Sequence, residues 1–358
     1  MFSHLKRLDW VLNFAILFLA SAGLISLLST TRELFWFQLV WLFLGVIILL
    51  FVSTFDWRPF INYKWFTWGI YFLAIGFLVL TYFIAPSIRG IRAWIIVGPF
   101  QFQMSEFAKF ALIVVFSSFF AKSHVGIAHL KNLVFSFIYF VIPALLITIQ
   151  PDMGTALILF GIWFGYLLVS ELRWKHILVA LLIFMITFAF MWTSVLQNYQ
   201  KDRIIGLFNP ESDPLGINYN VIQSKIAIGS AGFWGKGFMQ GTQVQLGFLP
   251  EAQTDFIFAA FVEEWGVFGG LLVFAAFFLM LYRIIRIGIS IDNNFGKFIC
   301  LGVSILFLLH FILNIGSNLA LLPVIGVPFP FLSYGGSNML INFLLIGMVQ
   351  SIVVRRSF

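Results

Sequence analysis

Apolar residues run along this chain in long, nearly unbroken blocks separated by short polar stretches. Ten blocks stand out, at 10–28, 36–52, 66–84, 106–121, 133–149, 153–169, 177–192, 256–281, 298–321 and 338–354. Each approaches or exceeds the roughly 20 residues that an α-helix needs to cross a hydrocarbon core. The expected fold class is therefore all-α and polytopic, with ten transmembrane helices in one integral-membrane domain over 1–358. A transmembrane β-barrel would need short alternating segments, and these runs are too long and continuous. The fifth and sixth blocks are separated only by Gln150-Pro151-Asp152, which predicts a tight turn. The first block follows Lys6 and Arg7 but is longer than a usual signal-peptide core and lacks a clear cleavage site, so it is expected to stay as the first helix.

The stretch from about 192 to 255 is too long to be a simple connection. It holds apolar anchors such as Ile204, Leu207, Val221 and Ile222, which predict short amphipathic helices over 200–208 and 218–230. Two other polar loops, 85–105 and 322–337, share its side of the membrane. The latter, LPVIGVPFPFLSYGGS, is expected to be stiff at its prolines and flexible at its glycines.

Composition narrows the class. Hydrophobic residues make up 61% of the 358 and charged residues only 10%, against about 25% charged in ordinary soluble domains. Mean hydropathy is +1.02. A soluble fold could not hide that much apolar surface. The net charge of +7 does not indicate nucleic-acid binding, because it distributes by side. With the N-terminus inside, thirteen Lys and Arg fall on cytoplasmic segments and seven on the other side, with Lys109 inside a block. That asymmetry orients the chain with both termini cytoplasmic. The single cysteine, Cys300, lies in an apolar block and is read as a packing residue. The histidines are scattered and suggest no zinc site, and Gly235-Lys236-Gly237 lacks the P-loop spacing.

Ionisable residues in or beside membrane spans carry function by default. Five acids and one base qualify: Glu106, Asp152, Asp255, Glu263, Glu264 and Lys109. Glu106 and Lys109 are three apart, so they can pair on one helix face; the pair is either structural or lines a polar cavity. Asp152 precedes a helix and suits an N-cap. Thr254-Asp255 could also cap, but Asp255 has Glu251 one turn earlier and stands where the elaborated loops converge. A carboxylate at a membrane–water boundary can serve as a general base. Glu263 is expected about 12 Å deeper than Asp255 along a straight helix, and one of Glu263 and Glu264 to pair with a base from another span.

The motifs RAWIIVGPFQFQMSEFAK (92–109), QPDMGTALI (150–158), GTQVQLGFLPEAQTDFIFA (241–259) and NIGSNLALLPVIGVPFPFLSYGGSN (314–338) occur in order. On them the chain resembles, over nearly its whole length, the SEDS family of shape, elongation, division and sporulation proteins, and most of all its RodA branch. Three motifs depart from the family's usual wording. The Q-P-S-E of the family is Gln103-Met104-Ser105-Glu106 here, H-T-D-F is Gln253-Thr254-Asp255-Phe256, and G-x-G-Y is Gly216-Ile217-Asn218-Tyr219.

The resemblance implies a peptidoglycan glycosyltransferase of the bacterial inner membrane. It would polymerise lipid II beside a class B penicillin-binding protein and other elongation-complex proteins. Asp255 would be the catalytic carboxylate, deprotonating the acceptor 4-hydroxyl. Arg92, Lys109, Arg203, Lys225 and Lys236 are the candidates to neutralise the pyrophosphate, with Glu106, Asp152 and Glu251 completing the substrate site. No cofactor is certain; a divalent cation, with Asp255 as its ligand, is the candidate. Two other readings, a lipid II flippase and a non-catalytic scaffold, are disfavoured by the concentration of polar chemistry on one side.

Overall fold

The computed structural model describes residues 5–355, apart from positions 58, 60–62, 89, 99, 124–129, 170–177, 180, 184, 187–188, 190–191, 194–195, 209–212, 214–215 and 217. The elements in chain order are α1 (Trp10–Thr30), α2 (Arg32–Thr54), α3 (Lys64–Ile84), β1 (Trp94–Val97), β2 (Phe100–Gln103), α4 (Met104–Ser123), α5 (Leu130–Ile149) and α6 (Met153–Val169). They continue with α7 (Asn198–Phe208), α8 (Tyr219–Ser230), α9 (Thr242–Gln245), α10 (Ile257–Ile289), α11 (Asn294–Asn318) and α12 (Gly336–Val354). Among the described residues, eight helices are long and apolar enough to cross a membrane, and α6 is a shorter apolar one. This is a multi-pass helical membrane protein. The expected span at 177–192 lies partly outside the described residues.

The central post is α4. Its residues 108–116 are buried without interruption, including Lys109. A helix buried all round is apolar all round, which is why this one carries no amphipathic signature. The helices α3, α5, α6, α11 and α12 pack against it, and α1, α10 and α12 are tied to one another at one end by a polar knot. Asp9 caps α1 by accepting from the Leu12 amide at 2.9 Å and receives Arg283 Nε of α10 at 2.9 Å. Gln350 of α12 donates to the Asp9 carbonyl at 3.0 Å and to Asn13 Oδ1 at 2.7 Å.

Pro143 interrupts the hydrogen-bond ladder of α5, because proline has no N–H to offer the carbonyl four residues back. That carbonyl belongs to Tyr139, and it accepts from the Tyr71 hydroxyl of α3 at 3.1 Å instead. The tight turn expected between the fifth and sixth blocks is present: α5 ends at Ile149 and α6 begins at Met153. The expected amphipathic helices are present as α7 and α8. A β-hairpin not foreseen from sequence precedes α4: Trp94 pairs with Gln103 and Val97 with Phe100, and Gly98 adopts the positive φ that a two-residue turn needs.

The eighth block differs most from expectation. Gly266 breaks α10 with φ 72°, and the chain there doubles back. The Phe258 and Phe274 rings stack 5.0 Å apart, whereas a straight helix would separate these residues by about 24 Å. A Cβ on Gly270 would lie 2.9 Å from Val262, consistent with the same reversal. The segment 257–265 therefore runs antiparallel to 267–289, and the latter alone is about 34 Å long, a full crossing.

The reversal is stabilised by 232–237, whose backbone replaces the missing ladder. Lys236 and Gly237 donate to the carbonyls of Glu263 and Glu264 at 3.0 Å each, while Val267 and Phe268 donate to Gly232 and Phe233 at 3.0 and 3.1 Å. Glu264 meets Ser29 at the far end of α1, opposite the end where Asp9 meets Arg283. Glu263 and Glu264 thus sit at the turn itself, near the end of the bundle. Asp255 is the more recessed residue, which reverses the depth expected from a straight helix.

Candidate functional site

Asp255 precedes the first half of the α10 hairpin. The N-cap position is Phe256 and carries no side-chain cap, so Asp255 is not consumed as the cap that its neighbours suggested. Its main chain is fixed instead. Asn314 Nδ2 and Asn318 Nδ2 of α11 donate to the Asp255 carbonyl at 3.0 and 2.8 Å. Asn318 Oδ1 accepts from the Ala259 amide at 3.2 Å.

Residues 249–254 arrive through a tight turn. Glu251 adopts φ 53°, its carbonyl accepts from the Thr254 and Phe256 amides at 3.1 and 3.2 Å, and Thr254 Oγ1 donates to Glu251 Oε2 at 3.1 Å. Glu251 therefore orders the approach to Asp255. Beneath it, Leu249, Ala252, Phe256 and Ala259 pack with Ala227 of α8 in a small apolar cluster that anchors the turn.

The 322–337 loop is threaded through the interior rather than laid over the surface. Val327, Phe329, Phe331, Leu332 and Ser333 are all buried, so their backbone groups need partners. Asn314 donates to the Val327 carbonyl at 2.9 Å, and Ser333 Oγ donates to the Thr254 carbonyl at 2.6 Å and accepts from the Phe329 amide. The Tyr334 amide donates to the Gln253 carbonyl at 2.9 Å. Burial also pushes the Tyr334 phenol above its ordinary pKa. Gly326, with φ +72°, stands beside Asp255: a Cβ there would come within 4.0 Å of Asp255 Oδ2.

A second polar group lies one helical turn away on α11. Lys109 Nζ donates to Glu106 Oε1 at 2.7 Å, forming an ion pair that is almost wholly buried. It also reaches His310 Nε2 at 3.2 Å. An ammonium only donates, so Nε2 must accept and Nδ1 carries the proton, directed at the Pro328 carbonyl 3.1 Å away. Glu106 Oε2 accepts from Asn338 at 3.1 Å, and Asn338 in turn accepts from Asn342 at 2.8 Å. Asp255 and the Glu106–Lys109 pair are therefore linked through residues 327–328 and successive turns of α11.

Sequence reasoning missed His310, Asn314, Asn318 and Asn338. The signal was available: 310, 314 and 318 are four apart, so they make a polar stripe on one face of an apolar helix.

Asp152 is an N-cap, as its position suggested: Oδ1 accepts from the Thr155 amide at 3.1 Å and Oδ2 from Thr155 Oγ1 at 2.8 Å. It also accepts from Gln103 at 3.1 Å, which joins α6 to the end of the hairpin.

The five candidate bases separate into different surroundings. Lys109 is held by Glu106. Lys236 pairs with Glu263 at 2.7 Å, and that carboxylate also accepts from the Gln243 and Val244 amides at the start of α9. The partner of Glu263 is thus a loop lysine, not the base from another span that was expected. Arg92 is exposed beside the hairpin, its amide donating to the Gln150 carbonyl.

Arg203 of α7 and Lys225 of α8 line one groove, together with Leu207, Asn218 and Pro323. Arg203 Nη1 donates to the Val324 carbonyl at 3.1 Å. Val324 is two residues from Gly326, a chain distance of at most about 7 Å, so one short stretch of chain joins the groove wall to the glycine beside Asp255. The arrangement places a carboxylate that can take a proton beside two cations that can receive a polyanion. Among the described residues, no three His, Cys, Asp or Glu side chains gather as a metal site.

A multi-pass helical bundle with a recessed carboxylate and a cationic groove defines a membrane-embedded protein with its polar chemistry gathered in a few places. Comparison with known proteins makes this specific. The family model for cell cycle proteins of the FtsW, RodA and SpoVE group matches residues 4–357, and the chain belongs to that family.

Among curated relatives, it is similar to the peptidoglycan glycosyltransferase MrdB of Escherichia coli, with 37% identity over 80% of this chain and 77% of that protein. It is also similar to the peptidoglycan glycosyltransferase RodA of Treponema pallidum, with 30% identity over 96% of this chain and 95% of that protein. Among solved structures, it resembles a chain from a study of how a peptidoglycan synthase complex coordinates polymerization and crosslinking, with TM-score 0.81 and 28% identity over 97% of both chains.

Proposed function

We propose that this protein is a peptidoglycan glycosyltransferase that polymerises lipid II, with 1–358 working as one membrane domain. The observation that carries the reading is the placement of Asp255. Its main chain is held by Asn314 and Asn318, and the Arg203–Lys225 groove is connected to it through the short stretch from Val324 to Gly326. The relatives' names give the reaction class, and the site has the groups that class needs.

Asp255 takes the proton from the acceptor sugar's 4-hydroxyl. That oxygen forms a bond to the anomeric carbon of the donor, while the bond from that carbon to the pyrophosphate oxygen breaks with inversion. Undecaprenyl pyrophosphate leaves with the electron pair, and its negative charge is met by Arg203 and Lys225. Arg92 is the remaining exposed base. Lys109 and Lys236, held by Glu106 and Glu263, shape the site rather than bind the leaving group.

The distribution of Lys and Arg supports placement in the bacterial cytoplasmic membrane with both termini inside, so that the groove faces outward. The likeness to a chain from a peptidoglycan synthase complex supports a class B penicillin-binding protein as partner.

The test is polymerisation of purified lipid II by the detergent-solubilised protein with such a partner. Wild type is expected to make glycan, and Asp255→Asn to lose at least about 100-fold in rate, in the range of a lost general base. Equal rates would sink the assignment of Asp255. Movement of lipid II across vesicles without glycan from wild type would replace the enzyme reading with a flippase.

A further inference from the structure

A second cavity, of about 270 Å³, opens between α3, α4 and α5. It lies far from the Asp255 site in the sequence of the bundle, at the end of α4 opposite Glu106. Its lining combines Thr67 and Trp68 from the start of α3, Ser118, Phe119 and Lys122 from the last two turns of α4, and Tyr139 of α5. Two aromatic rings, Trp68 and Tyr139, pack edge to face with centroids 5.4 Å apart and together form one wall of it. Trp68 is 40% exposed.

The cavity's polar groups have no task in the mechanism above. The Thr67 hydroxyl is buried and has no hydrogen-bond partner among the described residues, a condition that costs free energy unless a ligand supplies the partner. Ser118 is buried on the opposite wall, and Lys122 stands exposed at the rim. Hydroxyl donors and an ammonium together select an anionic oxygen group rather than an apolar chain.

The surroundings say which anion. Tryptophan and tyrosine beside a lysine at a span's end are the residues of the membrane–water interface. Basic pockets between spans on the lysine-rich side suit anionic lipid head groups.

We propose that this cavity is a binding site for the head-group phosphate of an anionic glycerophospholipid. Lys122 pairs with the phosphate, Thr67 and Ser118 donate to its oxygens, and the wall formed by the Trp68 and Tyr139 rings packs against the glycerol and upper acyl chain. The site is separate from the Asp255 groove, and its occupancy does not depend on the activity proposed there.

The experiment uses the full-length protein in nanodiscs of phosphatidylcholine, with and without phosphatidylglycerol. Thermal melting and mass spectrometry of retained lipid are read together. Wild type is expected to retain phosphatidylglycerol and to melt at a higher temperature in its presence. Lys122→Glu should retain about five-fold less or lower, the factor expected for loss of one lysine at a lipid surface, and Lys122→Arg should retain it as wild type does.

Melting in phosphatidylcholine alone checks that Lys122→Glu is folded, and Thr67→Val gives a second, uncharged variant that should also lose retention. Equal retention by Lys122→Glu and wild type would overturn the site. So would preferential retention of phosphatidylcholine, or of a polyprenyl pyrophosphate. An equal rise in melting temperature from inorganic phosphate alone would show a soluble-anion site and overturn the lipid assignment.

Discussion

Asn314 Nδ2 donates to the Asp255 carbonyl at 3.0 Å and to the Val327 carbonyl at 2.9 Å. One amide group thus holds the start of the α10 hairpin and the buried loop 322–337 against α11. Because Asp255 is recessed between these two elements, its carboxylate can be no better placed than this junction.

Asn314→Ala should lower kcat of lipid II polymerisation by about 100-fold, with KM little changed, since displacement of a reacting group by about 1 Å has that effect. The binding groove is built from α7, α8 and 320–324, to none of which the Asn314 side chain hydrogen-bonds. Steady-state kinetics on purified lipid II read the split. A raised KM at constant kcat would assign Asn314 to substrate binding instead.

The Glu106–Lys109 pair should behave as a coupled unit. Lys109→Met leaves a buried carboxylate uncompensated and should destabilise by about 3–5 kcal/mol. Glu106→Gln strands the lysine in the same way, while the double variant should recover much of the loss. His310→Ala should cost less than either, because it removes a neutral acceptor from Lys109. Denaturant unfolding in detergent, arranged as a double-mutant cycle, measures the coupling. Strict additivity would mean that the pair contributes nothing.

Gly266 permits the reversal of α10 for two reasons. Its φ of 72° is costly for an L side chain, and a Cβ would lie 2.2 Å from the Phe233 carbonyl. Gly266→Ala should therefore destabilise by roughly 2–4 kcal/mol and reduce activity by shifting 257–265. Gly229→Ala is the control, because a Cβ there meets nothing within 4 Å and helix propensity favours the change by up to about 1 kcal/mol. Melting temperatures of the two variants should move in opposite directions.

Asp152 works as a cap before it works as anything else. Asp152→Asn retains an oxygen for the Thr155 amide and should stay within about 1 kcal/mol of wild type, whereas Asp152→Ala should lose about 1–2 kcal/mol. Polymerisation should survive Asp152→Asn. If that variant is stable yet inactive, the carboxylate charge serves the substrate as well as the helix.

The membrane-spanning character, the turn at Gln150-Pro151-Asp152, the amphipathic helices and the Glu106–Lys109 pair were all legible in the chain. Each depends on composition or on separations of a few residues, where helix geometry leaves little choice. The resemblance to the SEDS family also lay in contiguous motifs. What could not be read were relationships between distant segments. The β-hairpin 94–103 was hidden inside a polar loop. The reversal at Gly266 was hidden because a glycine within a long apolar run is compatible with a straight helix until the 232–237 backbone is placed beside it.

The sequence by itself determined that the chain lives in a membrane, which residues are too polar for that setting, and which family those motifs belong to. Only the tertiary structure decided what those residues do to one another. It placed Lys236 against Glu263 and His310 against Lys109, leaving Arg203 and Lys225 together in one groove. The physical reason is that a charge inside a membrane protein must find a partner. Which partner it finds depends on how helices and loops far apart in sequence are packed, and periodicity carries no record of that.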